Sequence, residues 1–391
     1  MSIADFSPLT AYLDSLPERF SVPGCDCAVL HGHEVIYRHS VGFADSARTR
    51  PVSRDDLYYL FSATKLVTCT AVLQLAEQGR LSLEDPLARW LPEFGAMQVL
   101  TRLPQPPILH IPADIPTQPA RRPIRIADLL TMTAGLSYDM ETPAIRAAQQ
   151  AGGGRASTRQ IVAAIAQSPL LCEPGTHWIY SLAHDVLGAV VEAVSGMTFG
   201  AYLQQNVFGP LGMEDVWFHA GPETSPRIAA LYARSPRTQA VRPIPVKNMF
   251  ELSKCYESGG AGLLCSADAY LPLVGALCSG GTCRSGARLL KRETIDQMRK
   301  NWLTEAELAD FRNAGKVGYG YGLGVRTLID AGASRSPLGE FGWDGAAGAY
   351  VLADVEHEIG IFYVQHILFC PEAYSTIHPM IRDLVYRALE G

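Results

Sequence analysis

The alternation of apolar and polar residues predicts strands near both ends of the chain. Segment 26–31 and the segment Glu34–Gly42 alternate in this way around a short glycine-containing turn, which is typical of a β-hairpin. The same period returns in the C-terminal part, where segments 321–328, 349–355 and 358–365 are β-rich. Strand-forming sequence therefore occupies both ends of the chain.

Between these ends the apolar positions repeat with the period of a helix. Segment 66–76 is apolar on nearly every side and is followed by Gly79, so it predicts a helix that is buried all round. Segment 184–195 predicts an amphipathic helix, because apolar residues recur at helical spacing before Gly196. Further helices are predicted at 158–167, 266–278, 292–300 and 378–389.

This order of elements predicts an α/β fold of the α+β kind. Strands at both ends with helices between them suggest one sheet assembled from the two termini and carrying a helical insertion. We expect a discontinuous sheet domain, 1–60 with 285–391, and a mainly helical region over 61–284. Seven prolines make segment 98–123 a loop or connecting excursion.

Composition and charge narrow the function classes. The 391 residues are 48% hydrophobic and 18% charged, which is the profile of a compact soluble protein. With a net charge of −6 and no basic block, neither nucleic acid nor an anionic membrane is an expected partner. The N-terminal segment lacks the charged and apolar parts of a signal peptide, and no apolar run approaches the about 18 residues of a membrane span. A cytoplasmic location is the default expectation.

The cysteines favour neither disulfides nor a metal site. They number nine, an odd count, and no Cys-x-x-Cys pair occurs. Cys25 and Cys27 lie near His31 and His33 and could be proposed as a metal cluster, but the predicted hairpin explains their spacing more simply. We therefore expect no metal and no cofactor.

The motif Ser62-Ala63-Thr64-Lys65 places a lysine one helical turn after a serine. Residues three apart share a helix face, so the Lys65 amine can reach the Ser62 hydroxyl. A serine becomes nucleophilic when a neighbouring base takes its proton, and a lysine is such a base when its surroundings lower its pKa. The Ser62 N–H, at the start of a helix, can also face an oxyanion. Because Ser-x-x-Lys also occurs by chance, the motif alone is weak.

Two further segments carry candidate site residues. Tyr180 precedes the predicted helix at 184–195, where it can return a proton to a leaving group if Lys65 stabilises its phenolate, or it can simply pack beside Trp178. The run 341–348 is rich in glycine, which allows a ligand or a backbone to approach closely. The N–H of Ala346 is a candidate second oxyanion donor, although such a run is more often a β-bulge.

Taken in order, Ser62-x-x-Lys65, Tyr180-Ser181-Leu182 and Trp343-Asp344-Gly345 resemble the three active-site elements of the serine β-lactamase and penicillin-binding-protein superfamily. The chain is similar in particular to the family VIII carboxylesterases, which are themselves like class C β-lactamases. The resemblance implies a β-lactamase-like fold with an antiparallel sheet. It also implies an acyl-enzyme on Ser62, with Lys65 and Tyr180 as general base and acid and the N–H groups of Ser62 and Ala346 around the oxyanion.

Two departures from the family pattern bear on the substrate. Leu182 stands where β-lactamases usually have asparagine, and Trp343-Asp344-Gly345 replaces their Lys-Thr-Gly. A substrate carboxylate would then meet the apolar wall of Trp343 and the repulsive charge of Asp344, with Gly345 beside them. The resemblance therefore implies a carboxylesterase of uncharged short-chain or small cyclic esters.

Other functions remain open at this point. The same fold would serve a β-lactamase, an amidase or D-aminopeptidase, or an acyltransferase, and the residues do not decide which of Lys65 and Tyr180 is the acylation base. Neither the natural ester nor the oligomeric state follows from the sequence. A catalytically silent binding or scaffold protein is a further alternative. The chain retains all three reactive side chains, which argues against it.

Overall fold

The computed structural model describes residues 4–104, 111 and 114–390, and its largest sheet joins the two ends of the chain. The strands are β1 (Gly24–His31), β2 (Glu34–Gly42), β3 (Leu57–Tyr59), β4 (Gln98–Leu100), β5 (Thr117–Pro119), β6 (Val216–Trp217), β7 (Leu231–Arg234), β8 (Val241–Ile244), β9 (Leu264–Ser266), β10 (Tyr319–Tyr321), β11 (Arg326–Leu328), β12 (Phe341–Gly342), β13 (Tyr350–Asp354), β14 (Ile359–Gln365) and β15 (Ile367–Leu368).

Seven of these strands form the main sheet in the order β10-β11-β12-β13-β14-β1-β2, and all neighbours are antiparallel. The N-terminal hairpin joins the C-terminal strands where β1 pairs with β14. Three smaller sheets have the orders β15-β7-β8, β3-β9-β6 and β4-β5. The predicted antiparallel sheet from both ends of the chain is confirmed.

The α-helical segments surround the main sheet. Most of them lie, along the chain, between the N-terminal and C-terminal strands of that sheet. They are α1 (Ser7–Phe20), α2 (Thr64–Glu77), α3 (Ile126–Leu130), α4 (Pro143–Ala151), α5 (Thr158–Ile165), α6 (Ala183–Ser195), α7 (Phe199–Leu203), α8 (Gly209–Leu211), α9 (Ala267–Cys278), α10 (Arg292–Met298), α11 (Glu305–Asn313) and α12 (His378–Glu390). No single helix in the described part of the chain is both long and apolar enough to cross a membrane, and one bent pair, Ala183–Ser195 with Phe199–Leu211, passes that test by length and composition only.

The central strands β1, β13 and β14 of the main sheet are buried on both faces, whereas the edge strand β2 is partly exposed. Strand β1 alternates as a strand must, with Val29 directed to one face and Ala28 to the other. The first face packs against α1 and α12, which contribute Leu13 and Ile381. The second face packs against α9 and joins the larger core that surrounds α2. The sheet is thus a middle layer between two helical layers.

The predicted helices are observed close to their expected bounds, whereas one predicted strand is divided. Segment 321–328 holds the end of β10 and then β11, because the chain turns between them. Gly324 makes this turn with a φ of +84°, a left-handed conformation that favours glycine. The division of the chain at residues 60 and 285 stays a prediction.

Two other segments differ from the expectation. Helix α1 was not predicted, although Leu9, Leu13 and Leu16 are buried on one of its faces. Segment 98–123 contains the paired strands β4 and β5 as well as loop, while residues 105–110 and 112–113 of this segment lie outside the described residues.

The cysteines and histidines considered above as a metal cluster differ in burial. Cys25 and Cys27 are buried between the sheet and its covering helices, and burial raises the pKa of the Cys25 thiol to about 12. His31 is exposed at the end of β1. All nine cysteines are free thiols.

Helix α1 covers one face of the sheet. Shortening a buried side chain of α1 that packs on this face should therefore destabilise the whole fold. Leu13 has an exposed fraction of 0%, so Leu13→Ala should lower the free energy of unfolding by about 2–5 kcal/mol. The matched control is Leu338→Ala, since Leu338 is 53% exposed and should change little. Urea unfolding followed by circular dichroism measures both; equal effects would contradict the assigned packing of α1.

Candidate active site

Ser62 lies in a tight helical turn, Phe61–Ala63, directly before α2. Phe61 has a φ of +46°, a left-handed conformation that costs free energy for a residue with a side chain. Its ring is buried and packs edge-on against Phe250, 5.6 Å away between ring centres. The Leu60 N–H donates to the Leu263 carbonyl at 2.9 Å and fixes the start of the turn. Packing thus holds a strained turn that points Ser62 into a cleft.

Lys65 is completely buried one turn after Ser62. Its Nζ donates to the Gly260 carbonyl at 2.8 Å and lies 4.7 Å from the centre of the Tyr180 ring. A carbonyl oxygen and an aromatic face therefore replace part of the water that a buried ammonium loses. The Ser62 hydroxyl itself has no hydrogen-bond partner among the described residues. The amine thus lies against the phenol ring, but among the described residues it is hydrogen-bonded to neither the Tyr180 nor the Ser62 hydroxyl, so the expected hydrogen-bonded group of three is not observed.

A buried carboxylate that was not predicted holds the backbone behind Lys65. Asp185, on α6, accepts hydrogen bonds from the Ser258 hydroxyl at 2.6 Å and from the Tyr256 hydroxyl at 2.5 Å. It also accepts from the Gly260 N–H at 3.3 Å. A Cβ on Gly260 would lie 2.5 Å from Asp185 Oδ2, so the contact requires glycine. Asp185 thereby orients the carbonyl that binds Lys65.

The Tyr180 ring is held between two other aromatic rings. Its centre lies 5.5 Å from that of Tyr138 and 5.8 Å from that of Trp343, and both pairs are stacked. The Trp343 indole N–H donates to the Tyr180 hydroxyl at 3.3 Å. The phenol of Tyr180 is thus contacted by the Trp343 N–H at its oxygen and by the Lys65 amine at its ring.

The backbone around Tyr180 is fixed by hydrogen bonds to the segment after α3. The Ile179 N–H donates to the Met132 carbonyl at 2.9 Å, and the Leu182 N–H donates to the Ser137 carbonyl at 3.1 Å. Leu182 is buried, and it is not among the described residues that line the cleft. The position that departs from the β-lactamase pattern therefore belongs to the core.

Gly345 brings the third sequence element against the Ser62 turn. A Cβ at this position would lie 2.2 Å from the Leu60 carbonyl oxygen, so only glycine allows this approach. The Tyr374 hydroxyl lies 2.9 Å from the carbonyl oxygens of Gly345 and Ala346, which fixes the direction of this backbone. The N–H groups of Ser62 and Ala346 donate to no other described residue and are available to an oxyanion.

These residues border one cleft of about 720 Å³. Ser62, Tyr180, Gly345 and Ala346 all line it. Trp343 does not: its indole is buried behind Tyr180, where it supports the phenol and forms no wall of the cleft. Substrate contact by Trp343 was expected from the sequence because the stacking on Tyr180 was not foreseen.

The expected repulsive charge of Asp344 is also corrected. Its carboxylate is buried and bonded to Lys316 at 2.7 Å and to Arg326 at 3.1 Å. Burial alone would raise the pKa of Asp344, but the charges of Lys316 and Arg326 outweigh burial and hold the pKa below its ordinary value. Asp344 is therefore a neutralised ion-pair partner, and Lys316, which is distant in sequence, supplies a cation at the cleft.

Comparisons with known proteins identify the family of the chain. The model of the Beta-lactamase family matches residues 9–372. Protein Rv1367c of Mycobacterium tuberculosis is 33% identical over 366 residues, covering 89% of this chain and 88% of that protein. Esterase EstB of Burkholderia gladioli is 32% identical over 374 residues, covering 88% and 87%.

A solved structure extends the similarity to the fold. EstCE1, described as a hydrolase with promiscuous acyltransferase activity, superposes with a TM-score of 0.75 at 26% identity, covering 99% of this chain and 98% of that one. The family match spans both halves of the main sheet and all three elements of the cleft. The chain belongs to the beta-lactamase family.

Proposed function

We propose that the protein is a serine hydrolase that cleaves carboxylic esters through an acyl-enzyme on Ser62. The observation that carries the proposal is the Ser62 hydroxyl in the cleft, with two unengaged N–H groups and the supported phenol of Tyr180 on the same walls. The relative EstB is named an esterase and EstCE1 is described as a hydrolase, which supports the same chemistry.

In the proposed reaction Tyr180 acts directly on the proton and Lys65 acts through Tyr180. Tyr180 lines the cleft, whereas Lys65 lies behind it against the phenol ring. The Tyr180 phenolate takes the Ser62 proton while Oγ attacks the ester carbonyl, and the N–H groups of Ser62 and Ala346 bind the oxyanion. Collapse breaks the ester C–O bond as Tyr180 returns the proton to the departing alcohol. Water then attacks the acyl carbonyl while Tyr180 takes a proton from it. Collapse breaks the acyl C–Oγ bond as Tyr180 returns this proton to Ser62, which releases the carboxylic acid.

Acyl transfer is the second candidate function. An alcohol in place of water would attack the same acyl-enzyme and form a new ester, with the proton again moving through Tyr180. EstCE1 is described as a hydrolase with promiscuous acyltransferase activity, which favours this candidate over an amidase. Both candidates require the same acylated Ser62.

The acyl-enzyme itself is directly testable. Incubation with a fluorophosphonate should add its mass to the intact chain, and Ser62→Ala should abolish both the adduct and the hydrolysis of 4-nitrophenyl butyrate. Turnover of this ester should exceed that of the β-lactam nitrocefin. Labelling of the Ser62→Ala variant would show that Ser62 is not the nucleophile. Faster acylation by nitrocefin would contradict the preference for esters.

Removing the phenol or its cation should impair catalysis without unfolding the protein. Tyr180→Phe and Lys65→Met should each lower kcat by about 10²–10⁴-fold, and the double variant should lose less than the product of the two effects, because both groups serve one proton transfer. The matched control is Tyr12→Phe in α1, which should retain activity. Near-normal kcat in Tyr180→Phe would exclude Tyr180 as the base.

The close approach of Gly345 gives a test of the oxyanion donors. In Gly345→Ala the new methyl group would collide with the Leu60 carbonyl, move the Ala346 N–H and lower kcat by about 10²–10³-fold. Gly221→Ala is the control, because no atom of the described residues, its chain neighbours apart, lies within 4 Å of its Cβ position. Equal kcat for the two variants would show that this backbone does not bind the oxyanion.

A further inference from the structure

The cleft carries a cluster of charges beyond the catalytic groups. Among the described residues that line it, Lys316, Arg326 and Arg382 are cations, and Asp344 is the one carboxylate. The nearby imidazole of His378 is buried, and burial lowers its pKa to about 4, so it is neutral near pH 7. The lining therefore has an excess of positive charge although the whole chain is negative.

Two of the three cations keep donors that no described residue uses. Lys316 is partly exposed and spends one donor on Asp344, at 2.7 Å. Arg382 donates from Nη1 to the Tyr319 hydroxyl and from Nε to Asp383, which leaves Nη2 without a partner among the described residues. Arg326, in contrast, bonds Asp344 and the Val351 carbonyl and is structural.

Two acidic groups lie near these cations but outside the lining of the cleft. Glu340 lies behind the lining, where it accepts a hydrogen bond from Tyr319 at 2.7 Å, and burial raises its pKa. Asp383 pairs with Arg382 on the side of Nε. Neither Glu340 nor Asp383 lines the cleft. Lys316 and Arg382 are therefore the cations of the lining that have donors left for an anion in the cleft.

The position of Lys316 connects this cluster to the reaction. Its partner Asp344 immediately precedes Gly345 and Ala346, and its Nζ lies 5.5 Å from the centre of the Trp343 ring that supports Tyr180. An anionic group bound to Lys316 would thus lie beside the segment that offers the oxyanion donor. The same cleft connects Lys316 with Ser62.

We propose that this cleft binds an ester substrate that carries a carboxylate, with Lys316 as its main contact and Arg382 as a second one. The inference rests on the proposed ester hydrolysis and specifies its substrate class. It replaces the uncharged ester expected from sequence, because Asp344 is neutralised and Lys316 adds a cation. Charge-assisted contacts of this kind favour an anionic substrate over its neutral analogue.

Matched esters test the proposal and locate the carboxylate. The acyl-side pair is 4-nitrophenyl hemiglutarate with 4-nitrophenyl valerate, and the alcohol-side pair is 4-acetoxybenzoate with 4-methylphenyl acetate. We expect the charged member of one pair to have a kcat/KM about tenfold higher or more. Lys316→Met should remove most of this preference, Lys316→Arg should retain it, and Arg382→Met should reduce it.

Lys254→Met is the matched control, because Lys254 is exposed and outside the cleft, and it should leave the preference unchanged. Neutral and charged esters hydrolysed alike by the wild type would overturn the carboxylate site and leave the proposed hydrolysis intact. A preference that survives in both Lys316→Met and Arg382→Met would also overturn it.

A binding measurement separates this inference from catalysis. Calorimetry of the Ser62→Ala protein with monomethyl glutarate and methyl valerate needs no turnover. Tighter binding of the charged ester, weakened about tenfold by adding Lys316→Met, would support the site even if no ester were hydrolysed. Equal or undetectable binding of both esters would reject it. Circular dichroism of each variant identifies any that fail to fold, in which case Lys316→Gln takes the place of Lys316→Met.

Discussion

The buried ammonium of Lys65 is the constraint on which the active-site architecture depends. Removing a charge from water is unfavourable unless polar groups replace the lost hydration. Here the Gly260 carbonyl and the face of Tyr180 do so, and each is held by further contacts: Asp185 fixes Gly260, while Trp343 and Tyr138 fix the phenol ring. The cation therefore links α2, α6 and the segment that follows β12 into one unit.

Rigid elements on both sides of the Ser62 turn explain why this turn can be strained. Strand β3 pairs with β9, so the chain enters the turn at Leu60 already bonded to Leu263. It leaves the turn in α2, which is buried from Thr64 to Leu75. Phe61 is held in its left-handed conformation by packing on both sides of the turn. Rigid elements before and after a nucleophile provide the precise placement that catalysis requires.

The fold was predictable where apolar residues recur with the period of a strand or a helix, as in the β1–β2 hairpin and helices α6 and α9. The Ser62, Tyr180 and 343–346 elements were predictable because they are short motifs in a fixed order. Lys316 and Asp185 were not, since each acts through a partner more than twenty residues away, Asp344 and Gly260 respectively. A single sequence contains no signal for such pairings, and an isolated lysine in a loop reads as a solvated surface residue.

The charge environment of Asp344 depends on residues outside its own motif. A lone carboxylate at this buried position would be unfavourable and would repel an anionic ligand. Lys316 and Arg326 reverse both effects: they hold Asp344 ionised, and their two charges exceed the one that they neutralise. Because charges interact more strongly when water is excluded, this surplus acts directly on a bound substrate. The electrostatic character of the site thus follows from the cluster as a whole and cannot be inferred from the motif residue alone.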